Sequence, residues 1–203
     1  MKILYGTTNN GKFESMKRIT DSLGIEIIGL NDLKQPLPKV LESGNNPLEN
    51  AQIKARAYYK AFSMPVFSCD SGLYFDGLDE SLQPGIYVRR VNGKELSDEE
   101  MMDYYACLAK KHGNKLIGRY RNAIYFVVNE TTYFSSMDKT IETGPFILTD
   151  TPHKKRVKGF PLDSLSIDID SGKYYYDMQK TVDQSSIEKG FRAFFENALA
   201  KIL

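Results

Sequence analysis

The sequence predicts a mixed α/β protein, and three stretches carry that prediction. Residues 2–5 form a short apolar strand that leads through a polar loop into a helical pattern. Residues 119–143 alternate, become continuously apolar and are rich in β-branched and aromatic residues, as in a long hairpin. The last segment has one apolar helical face. At 203 residues the chain suits one domain, residues 1–203, or one domain with a lobe.

The composition is that of an ordinary globular protein. Lys plus Arg number 27 and Asp plus Glu number 26, so the net charge of +1 gives no argument for nucleic acid or membrane as a partner. Two cysteines cannot build a disulfide framework, and the sequence contains no Cys/His cluster typical of zinc. There is no signal-peptide core, and no apolar run reaches the roughly 20 residues that span a bilayer. We therefore expect a soluble, cytoplasmic protein that binds neither nucleic acid nor membrane.

The first loop, GTTNNGK at residues 6–12, has the residue types of an anion site. Hydroxyl and amide side chains, two glycines and Lys12 precede a helix predicted by the spacing of Phe13, Met16, Ile19 and Leu23. Backbone N–H groups, the helix dipole and an ammonium group would converge there on a phosphate. The loop lacks P-loop spacing, and Thr, Asn and Gly are also ordinary cap residues, so both interpretations stay open.

A second strand is predicted at residues 25–30, and a polar turn then leads into a second helix over residues 50–62. Glu49 has a structural explanation, since a carboxylate near a helix start interacts favourably with the helix dipole. Glu42 lies before the turn and has no such explanation, which makes it a candidate ligand for a hard cation such as Mg²⁺. Lys54, one turn into the helix, is expected to face the same cleft.

Residues 68–90 are the predicted centre of the protein. Val66 and Phe67 begin a buried strand whose end, in the small-residue stretch 68–72, delivers Asp70 to a cleft. A carboxylate there is costly unless a metal ion or a Lys meets it. A Pro-Gly turn then brings back Arg89 and Arg90, whose guanidinium groups suit bidentate phosphate contacts. A strand, a loop and a solvated Arg pair would explain the same residues.

The remaining elements are interpreted as scaffold, apart from one loop. Residues 97–111 predict a helix with a capping box at Ser97 and an apolar face of Met101, Tyr104, Tyr105 and Leu108. The hairpin turns near residues 129–130, and the last helix opens with a capping box at residues 185–188. Between them, the basic run 153–158 leads to Phe160 on a Gly-Phe-Pro turn, where either a solvated face or stacking on a base is expected.

In their order along the chain, these motifs resemble those of the inosine triphosphate pyrophosphatase family over nearly the whole length. Residues 7–12 (TTNNGK) resemble T-G-N-x-x-K, with Thr8 in place of Gly. Residues 42–44 and 49–55 are similar to E-x-G and E-N-A-x-x-K-A. Residues 68–73 (SCDSGL) resemble A-D-D-S-G-L, and residues 84–90 resemble P-G-x-x-S-A-R.

The resemblance implies an elongated, mixed β-sheet with flanking helices, two lobes around a central nucleotide cleft, and a homodimer. It implies Mg²⁺-dependent hydrolysis of nucleoside triphosphates, in particular deaminated purines such as ITP, dITP and XTP, to the monophosphate and pyrophosphate. Glu42 and Asp70 would hold the metal, and Asp70 would also be the catalytic base. The implied substrate-binding residues are Thr7, Asn9, Lys12, Lys54, Ser71, Arg90, Phe160 and Asp163.

The chain departs from the family pattern at three places. Cys69 stands where the family has the first of two adjacent acids, and the F-G-[YW]-D-P loop is reduced to residues 160–163, FPLD. The base-reading S-H-R would fall near residues 187–190, which contain neither His nor Arg, and the Lys before it corresponds to Gln184.

These departures bear on the nucleobase. Asp163 and Glu188 would offer hydrogen-bond acceptors, which suit an amino group better than an oxo group, so we expect a weaker preference for inosine and xanthosine triphosphates. Lys180, Lys189 or Arg192 could instead supply the missing donor. Two alternatives to the function remain: the same chemistry on another base, and a nucleotide-binding regulatory protein with little turnover.

Overall fold

The structure is a computed structural model that describes residues 1–178 and 186–202. These residues fall into two compact units. The first comprises Met1–Ser71, Arg121–Glu142 and, within the last segment, residues 186–202; the second comprises Gly72–Tyr120 and residues 143–178. No helix in the described ranges is long and apolar enough to cross a membrane.

Strands and helices alternate over residues 2–75, and the later strands follow one another in groups separated by a helix. The strands are β1 (Lys2–Tyr5), β2 (Glu26–Gly29), β3 (Val66–Phe75), β4 (Arg90–Val91), β5 (Lys94–Glu95), β6 (Leu116–Val127), β7 (Tyr133–Ser136), β8 (Phe146–Leu148) and β9 (Ser166–Asp168). The helices are α1 (Asn10–Asp21), α2 (Pro47–Phe62), α3 (Asp98–Lys111) and α4 (Ser186–Leu199).

The main sheet is mixed, which confirms the predicted α/β class. Its strand order is β2-β1-β3-β6-β8-β9, and β7 also pairs with β6. Strand β1 runs parallel to β2 and β3, whereas β6 is antiparallel to β7 and β8. Strands β4 and β5 form a separate antiparallel ribbon.

In the first unit, helices cover both faces of the sheet. Successive strand residues point to opposite faces, and Tyr5 is in register with Phe67, as Leu4 is with Val66. Tyr5 and Phe67 belong to a cluster with the apolar faces of α1 and α4. Leu4 and Val66 belong to a cluster with α2, where Tyr58 is buried. The predicted apolar face of the last helix is confirmed by the buried Phe191 and Phe195 and the partly buried Ile187, Phe194, Leu199 and Ile202.

Strand β3 is longer than the sequence suggested, and the placement of Asp70 at its end was wrong. The strand continues through the small residues 68–72 to Phe75, so that Asp70 lies in its middle. Pairing with β1 stops at Phe67, but β6 is hydrogen-bonded to β3 on the other side and keeps the backbone extended. Asp70 therefore lies just beyond the carboxyl end of β1, still on a central strand.

In the second unit, α3 packs against a separate apolar cluster that includes Leu73, Phe146 and Leu162. The capping box between Ser97 and Glu100 is confirmed. Tyr104, which was assigned to the apolar face of this helix, is 39% exposed, because the buried stripe passes through its neighbour and the residues one turn away. The short strands β8 and β9 were not predicted, since three residues give too little alternation to recognise.

The hairpin of β6 and β7 is confirmed, and the Asn129 side-chain oxygen accepts backbone hydrogen bonds in its turn. Its second arm is only four residues long and is followed by a 3-10 helix, Lys139–Ile141, which packs against α4. Lys180, Gln184 and the cap residue Ser185 lie outside the described residues.

The contact between α4 and the 3-10 helix predicts the effect of Gly190→Ala. A Cβ at Gly190 would lie 2.1 Å from the Thr140 carbonyl oxygen, which is a backbone atom that cannot turn aside. Alanine gains about 1 kcal/mol of helix propensity over glycine, but overpacking a core costs typically about 1–3 kcal/mol. Because the close contact is with a backbone atom, the cost should fall in the upper part of that range, about 2–3 kcal/mol. We therefore expect a net loss of about 1–2 kcal/mol in the free energy of unfolding, measured by urea denaturation.

Gly144→Ala is the matched control, because its backbone is unstrained and no atom lies within 4 Å of the added Cβ. Its stability should change by less than about 0.5 kcal/mol. A Gly190→Ala protein as stable as the control would contradict the close contact.

Candidate active site

One face of α2 presents polar side chains to strand β3. Asn50, Lys54 and Tyr58 follow one another at intervals of four residues, which places them on one side of the helix. The Lys54 ammonium lies 2.8 Å from Oδ1 of Asp70, and Asn50 Nδ2 donates a hydrogen bond of 3.2 Å to Oδ2. The Lys54 and Asp70 side chains are only 12% and 13% exposed. The cation that the sequence required for Asp70 is therefore Lys54.

Glu42 joins this cluster from the loop before α2. Its Oε1 lies 3.6 Å from Lys54 Nζ, so the ammonium contacts both carboxylates. Asn50 fixes the loop, because its Oδ1 accepts a hydrogen bond of 2.9 Å from the Gly44 backbone. A Cβ at Gly44 would lie 2.6 Å from the Cβ of Glu49, so only glycine permits this approach.

Glu49 is used by the helix start, as its structural explanation predicts. Its carboxylate accepts hydrogen bonds from the Asn45 backbone at 2.7 Å and from the Asn46 side chain at 2.8 Å. Asn46 in turn caps α2 by accepting from the Glu49 backbone. The two residues thus form a reciprocal cap.

The first loop brings Lys12 into the same electrostatic environment. Asn9 caps α1 by accepting a hydrogen bond of 3.0 Å from the Lys12 backbone, and Thr7 Oγ1 accepts from the Asn9 backbone. Burial and the neighbouring Lys54 ammonium lower the pKa of Lys12, whereas the Asp70 carboxylate opposes that shift. Thr7 and Asn9 therefore shape the loop, and Lys12 contributes a second ammonium group.

The loop lies tightly against β3. A Cβ at Gly6 would be 2.2 Å from Ser68 Oγ and 2.7 Å from the Tyr58 ring, so this position needs glycine. Ser68 is fully buried, and its hydroxyl has no hydrogen-bond partner among the described residues. Its side chain is on the same face of β3 as Asp70.

Cys69 and Ser71 point to the opposite face of β3. The Tyr5 hydroxyl, which sequence reasoning missed, is hydrogen-bonded to the Cys69 thiol, and burial raises the pKa of that thiol to about 12. Ser71 Oγ donates to Asn122 Oδ1 at 2.7 Å, and Asn122 donates to the Ile141 carbonyl at 2.7 Å. Cys69 is therefore neutral, and the Ser71 hydroxyl is engaged in a buried scaffold contact.

The two arginines of the central stretch belong to the second unit and differ in environment. Arg89 is fixed by Asp98 at 2.6 Å and by the Leu96 carbonyl at 2.9 Å. Asp98 also accepts a hydrogen bond of 2.9 Å from the Gly159 backbone, which ties the start of α3 to the Phe160 loop. Arg90, on β4, is exposed.

Phe160 and Asp163 also belong to the second unit. Phe160 is half-buried at the start of a 3-10 helix, Pro161–Leu165, and its backbone N–H donates to the Val157 carbonyl. The Asp163 carboxylate is close enough to Tyr120 and Tyr175 to add to the rise that burial causes in their pKa values. These tyrosines were not singled out from the sequence, because isolated aromatics at such spacing are ordinary core residues.

Residues 187–190, where the resemblance would place the base-reading motif, are engaged in packing and in an ion pair. Gly190 abuts the Thr140 carbonyl, and Glu188 Oε1 lies 3.8 Å from an Arg18 guanidinium nitrogen. Lys189 is exposed. Glu188 is thus neutralised in part by α1.

Residues 3–143 match the model of the Ham1 family. The chain belongs to this family. Among Ham1 relatives, the dITP/XTP pyrophosphatase of Oceanobacillus iheyensis is 38% identical over 98 residues, covering 48% of this chain and 49% of the relative. That of Aquifex aeolicus is 40% identical over 90 residues, covering 44% and 42%. The matched segment thus spans about half the length of each relative. The resemblance drawn from the motifs is confirmed.

Solved structures support the fold over the full length. The Ham1 protein of Staphylococcus aureus has a TM-score of 0.72 at 24% identity, over 97% of this chain and 99% of that one. The HAM1 protein of Coxiella burnetii has a TM-score of 0.74 at 19% identity, over 100% and 98%. The α/β architecture of this chain is therefore that of Ham1 proteins.

The donor set at Lys54 fits a hard divalent cation in part. Two carboxylates, from Glu42 and Asp70, surround a position that a positive group already occupies. Within residues 1–178 and 186–202, no group of three or more His, Cys, Asp or Glu side chains is arranged to hold a metal. Mg²⁺ is commonly bound by one or two carboxylates together with substrate phosphates and water, so two carboxylates suffice if a phosphate supplies further oxygens.

The environments of the two cysteines predict different reactivity. With its pKa raised to about 12 by burial, the Cys69 thiol is ionised in only about one molecule in ten thousand at about pH 8, and the thiolate is the nucleophile. Cys107 is exposed. Iodoacetamide should therefore modify Cys107 within minutes and leave Cys69 unmodified, as measured by mass spectrometry of peptides.

In urea both thiols should react, which controls for the chemistry of the reagent. Comparable alkylation of both cysteines in the folded protein would show that Cys69 is not protected as described.

Proposed function

We propose that this Ham1 protein is a cytoplasmic, homodimeric nucleoside triphosphate pyrophosphatase that uses Mg²⁺ and releases the monophosphate and pyrophosphate. The observation that carries the proposal is the Lys54 ammonium held between the Asp70 and Glu42 carboxylates, with Lys12 nearby. Two ammonium groups and two carboxylates suit a metal–triphosphate complex, which presents anionic oxygens and a cation together. The relatives are named dITP/XTP pyrophosphatases, which points to the same reaction.

The chain's own residues divide the reaction between them. Lys12 and Lys54 bind phosphate oxygens through charge-assisted hydrogen bonds and oppose the charge that builds up as the bond to pyrophosphate breaks. Asp70 orients the attacking water and accepts its proton, while Asn50 holds the carboxylate in place by its second oxygen. Glu42 and Asp70 would hold Mg²⁺, which would supply Lewis-acid polarisation of the phosphoryl group.

Each of the remaining substrate-binding residues is proposed to contact one part of the nucleotide. The loop that carries Thr7 and Asn9 offers backbone N–H groups to phosphate, and Arg90 adds an exposed guanidinium group. Phe160 provides a ring for the base to stack on, and Asp163 an acceptor for its edge. The Ser71 hydroxyl can donate a hydrogen bond to phosphate only if it releases Asn122 Oδ1, to which it donates at 2.7 Å.

The role of Asp70 predicts that Asp70→Asn abolishes turnover and leaves the fold intact. The amide is nearly isosteric but cannot accept a proton from water, and general-base catalysis typically contributes about 10²–10⁴-fold. We expect a fall of at least about 100-fold in kcat for pyrophosphate release from ITP with Mg²⁺.

Asp76→Asn is the matched control, since Asp76 follows β3, is exposed and pairs with Arg119. It should retain the wild-type rate. If Asp70→Asn also retained it, Asp70 would not be the base. A wild-type protein that bound ITP without releasing pyrophosphate would favour the regulatory alternative.

The altered base-reading segment predicts weak discrimination between bases. A site that hydrogen-bonds one particular group rejects analogues by about 10⁴–10⁵-fold, whereas stacking is tolerant of base identity. Since Gly190 is packed against Thr140 and Glu188 is paired with Arg18, we expect kcat/KM for ITP to exceed that for ATP by less than about 100-fold. A preference of several orders of magnitude would show that a donor elsewhere, such as Arg192, reads the oxo group.

A further inference from the structure

The place that a divalent cation would take between Glu42 and Asp70 is held by a side chain of the protein. Lys54 Nζ contacts Asp70 Oδ1 at 2.8 Å and Glu42 Oε1 at 3.6 Å. The Lys54 and Asp70 side chains are nearly buried, and Glu42 is 31% exposed. Solvent therefore screens these ion pairs less than it screens a surface pair.

The carboxylates of the cluster already lie beside ammonium groups in the free protein. Its two carboxylates, Glu42 and Asp70, face two ammonium groups, Lys54 and Lys12. The neighbouring Cys69 supplies a thiol where the family motif has a further acid. A divalent cation that approached alone would meet two like charges and would have to separate Lys54 from both carboxylates.

A metal–triphosphate complex would meet the same cluster differently. The metal ion in the complex attracts the carboxylates, while the phosphate oxygens attract the ammonium group. The carboxylates exchange Lys54 for the metal, and Lys54 exchanges the carboxylates for phosphate oxygens. Breaking a buried ion pair is strongly unfavourable when it leaves a charge without a partner, and this exchange leaves none.

We propose that Lys54 is an exchangeable counter-ion, which neutralises Glu42 and Asp70 in the free protein and moves to the triphosphate when the metal takes the carboxylates. The identity of the triphosphate rests on the proposed function, whereas the competition between Lys54 and the metal does not. The consequence is an order of binding. Free divalent cations bind the protein weakly, and the metal enters with its nucleotide.

The exchange predicts two effects of opposite sign for Lys54→Met. Mn²⁺ alone, measured by the loss of the free-ion signal in electron paramagnetic resonance, should bind the variant more tightly than wild type. We expect a gain of at least about tenfold, because one neighbouring opposite charge changes the proton affinity of a carboxylate by about 10–1,000-fold. Inosine 5′-(α,β-imido)triphosphate with saturating Mn²⁺ should bind at least about tenfold more weakly, because a charge-assisted hydrogen bond is lost.

Lys60→Met is the matched control, since Lys60 is exposed on the same helix outside the cluster, and neither affinity should change. If Lys54 only clamped phosphate, Mn²⁺ affinity would stay within about twofold of wild type, and the proposal would be wrong. If Lys54 only supported the local fold, both affinities would fall, which would also overturn it. If Lys54→Met does not fold, Lys54→Gln, which keeps an amide donor for Asp70, should show the same gain in Mn²⁺ affinity and the same loss in nucleotide affinity.

The Mn²⁺ measurement separates this proposal from the proposed function. Tighter Mn²⁺ binding by Lys54→Met in a protein that hydrolyses no nucleoside triphosphate would support the exchange and refute the pyrophosphatase. If wild type hydrolysed nucleoside triphosphates but Lys54→Met bound Mn²⁺ no more tightly than wild type, the pyrophosphatase would be supported and the exchange refuted.

Discussion

The first unit is built around a carboxylate on a central strand. Asp70 is flanked on β3 by residues that pack on both faces of the sheet, and its own side chain is only 13% exposed. An ionised group in this position needs a cation and hydrogen-bond donors. Helix α2 supplies both from consecutive turns, the ammonium of Lys54 and the amide of Asn50. These two contacts join one face of α2 to β3, beside the apolar packing of the same helix.

The same requirement explains the conformation of the loop before α2. Asn50 satisfies Asp70 with its nitrogen and the Gly44 backbone with its oxygen, so one buried amide fixes both the carboxylate and the loop that carries Glu42. The reciprocal cap between Asn46 and Glu49 fixes the start of the helix itself. Glu49 is therefore engaged by the cap, whereas Glu42 faces Lys54.

Long periodic elements could be predicted from the sequence, whereas contacts between segments that are distant along the chain could not. Apart from the exposed Tyr104, the buried faces of α3 and α4 follow from helical spacing, because apolar residues that recur every three or four positions lie on one side of a helix. The length of β3 does not follow, because its small polar residues are extended beside β6, and Leu73 is bridged to Gly85, which are contacts with distant parts of the chain. Lys54 and Asp70 could be proposed as partners from charge alone, but the Tyr5–Cys69 and Ser71–Asn122 contacts depend on strand register.

Strand register also determines the effect of having Cys69 where the family motif has an acid. Adjacent strand residues point to opposite faces, so Cys69 lies on the Tyr5 side of β3 while Asp70 faces Lys54. An acid at position 69 would be a buried charge beside Phe67, with the Tyr5 hydroxyl as its hydrogen-bond donor, and burying a charge is costly. The thiol, hydrogen-bonded to Tyr5 and held neutral by a pKa of about 12, avoids that cost. The substitution therefore removes a negative charge without disturbing the carboxylate that Lys54 holds, which leaves Glu42 and Asp70 to balance two ammonium groups.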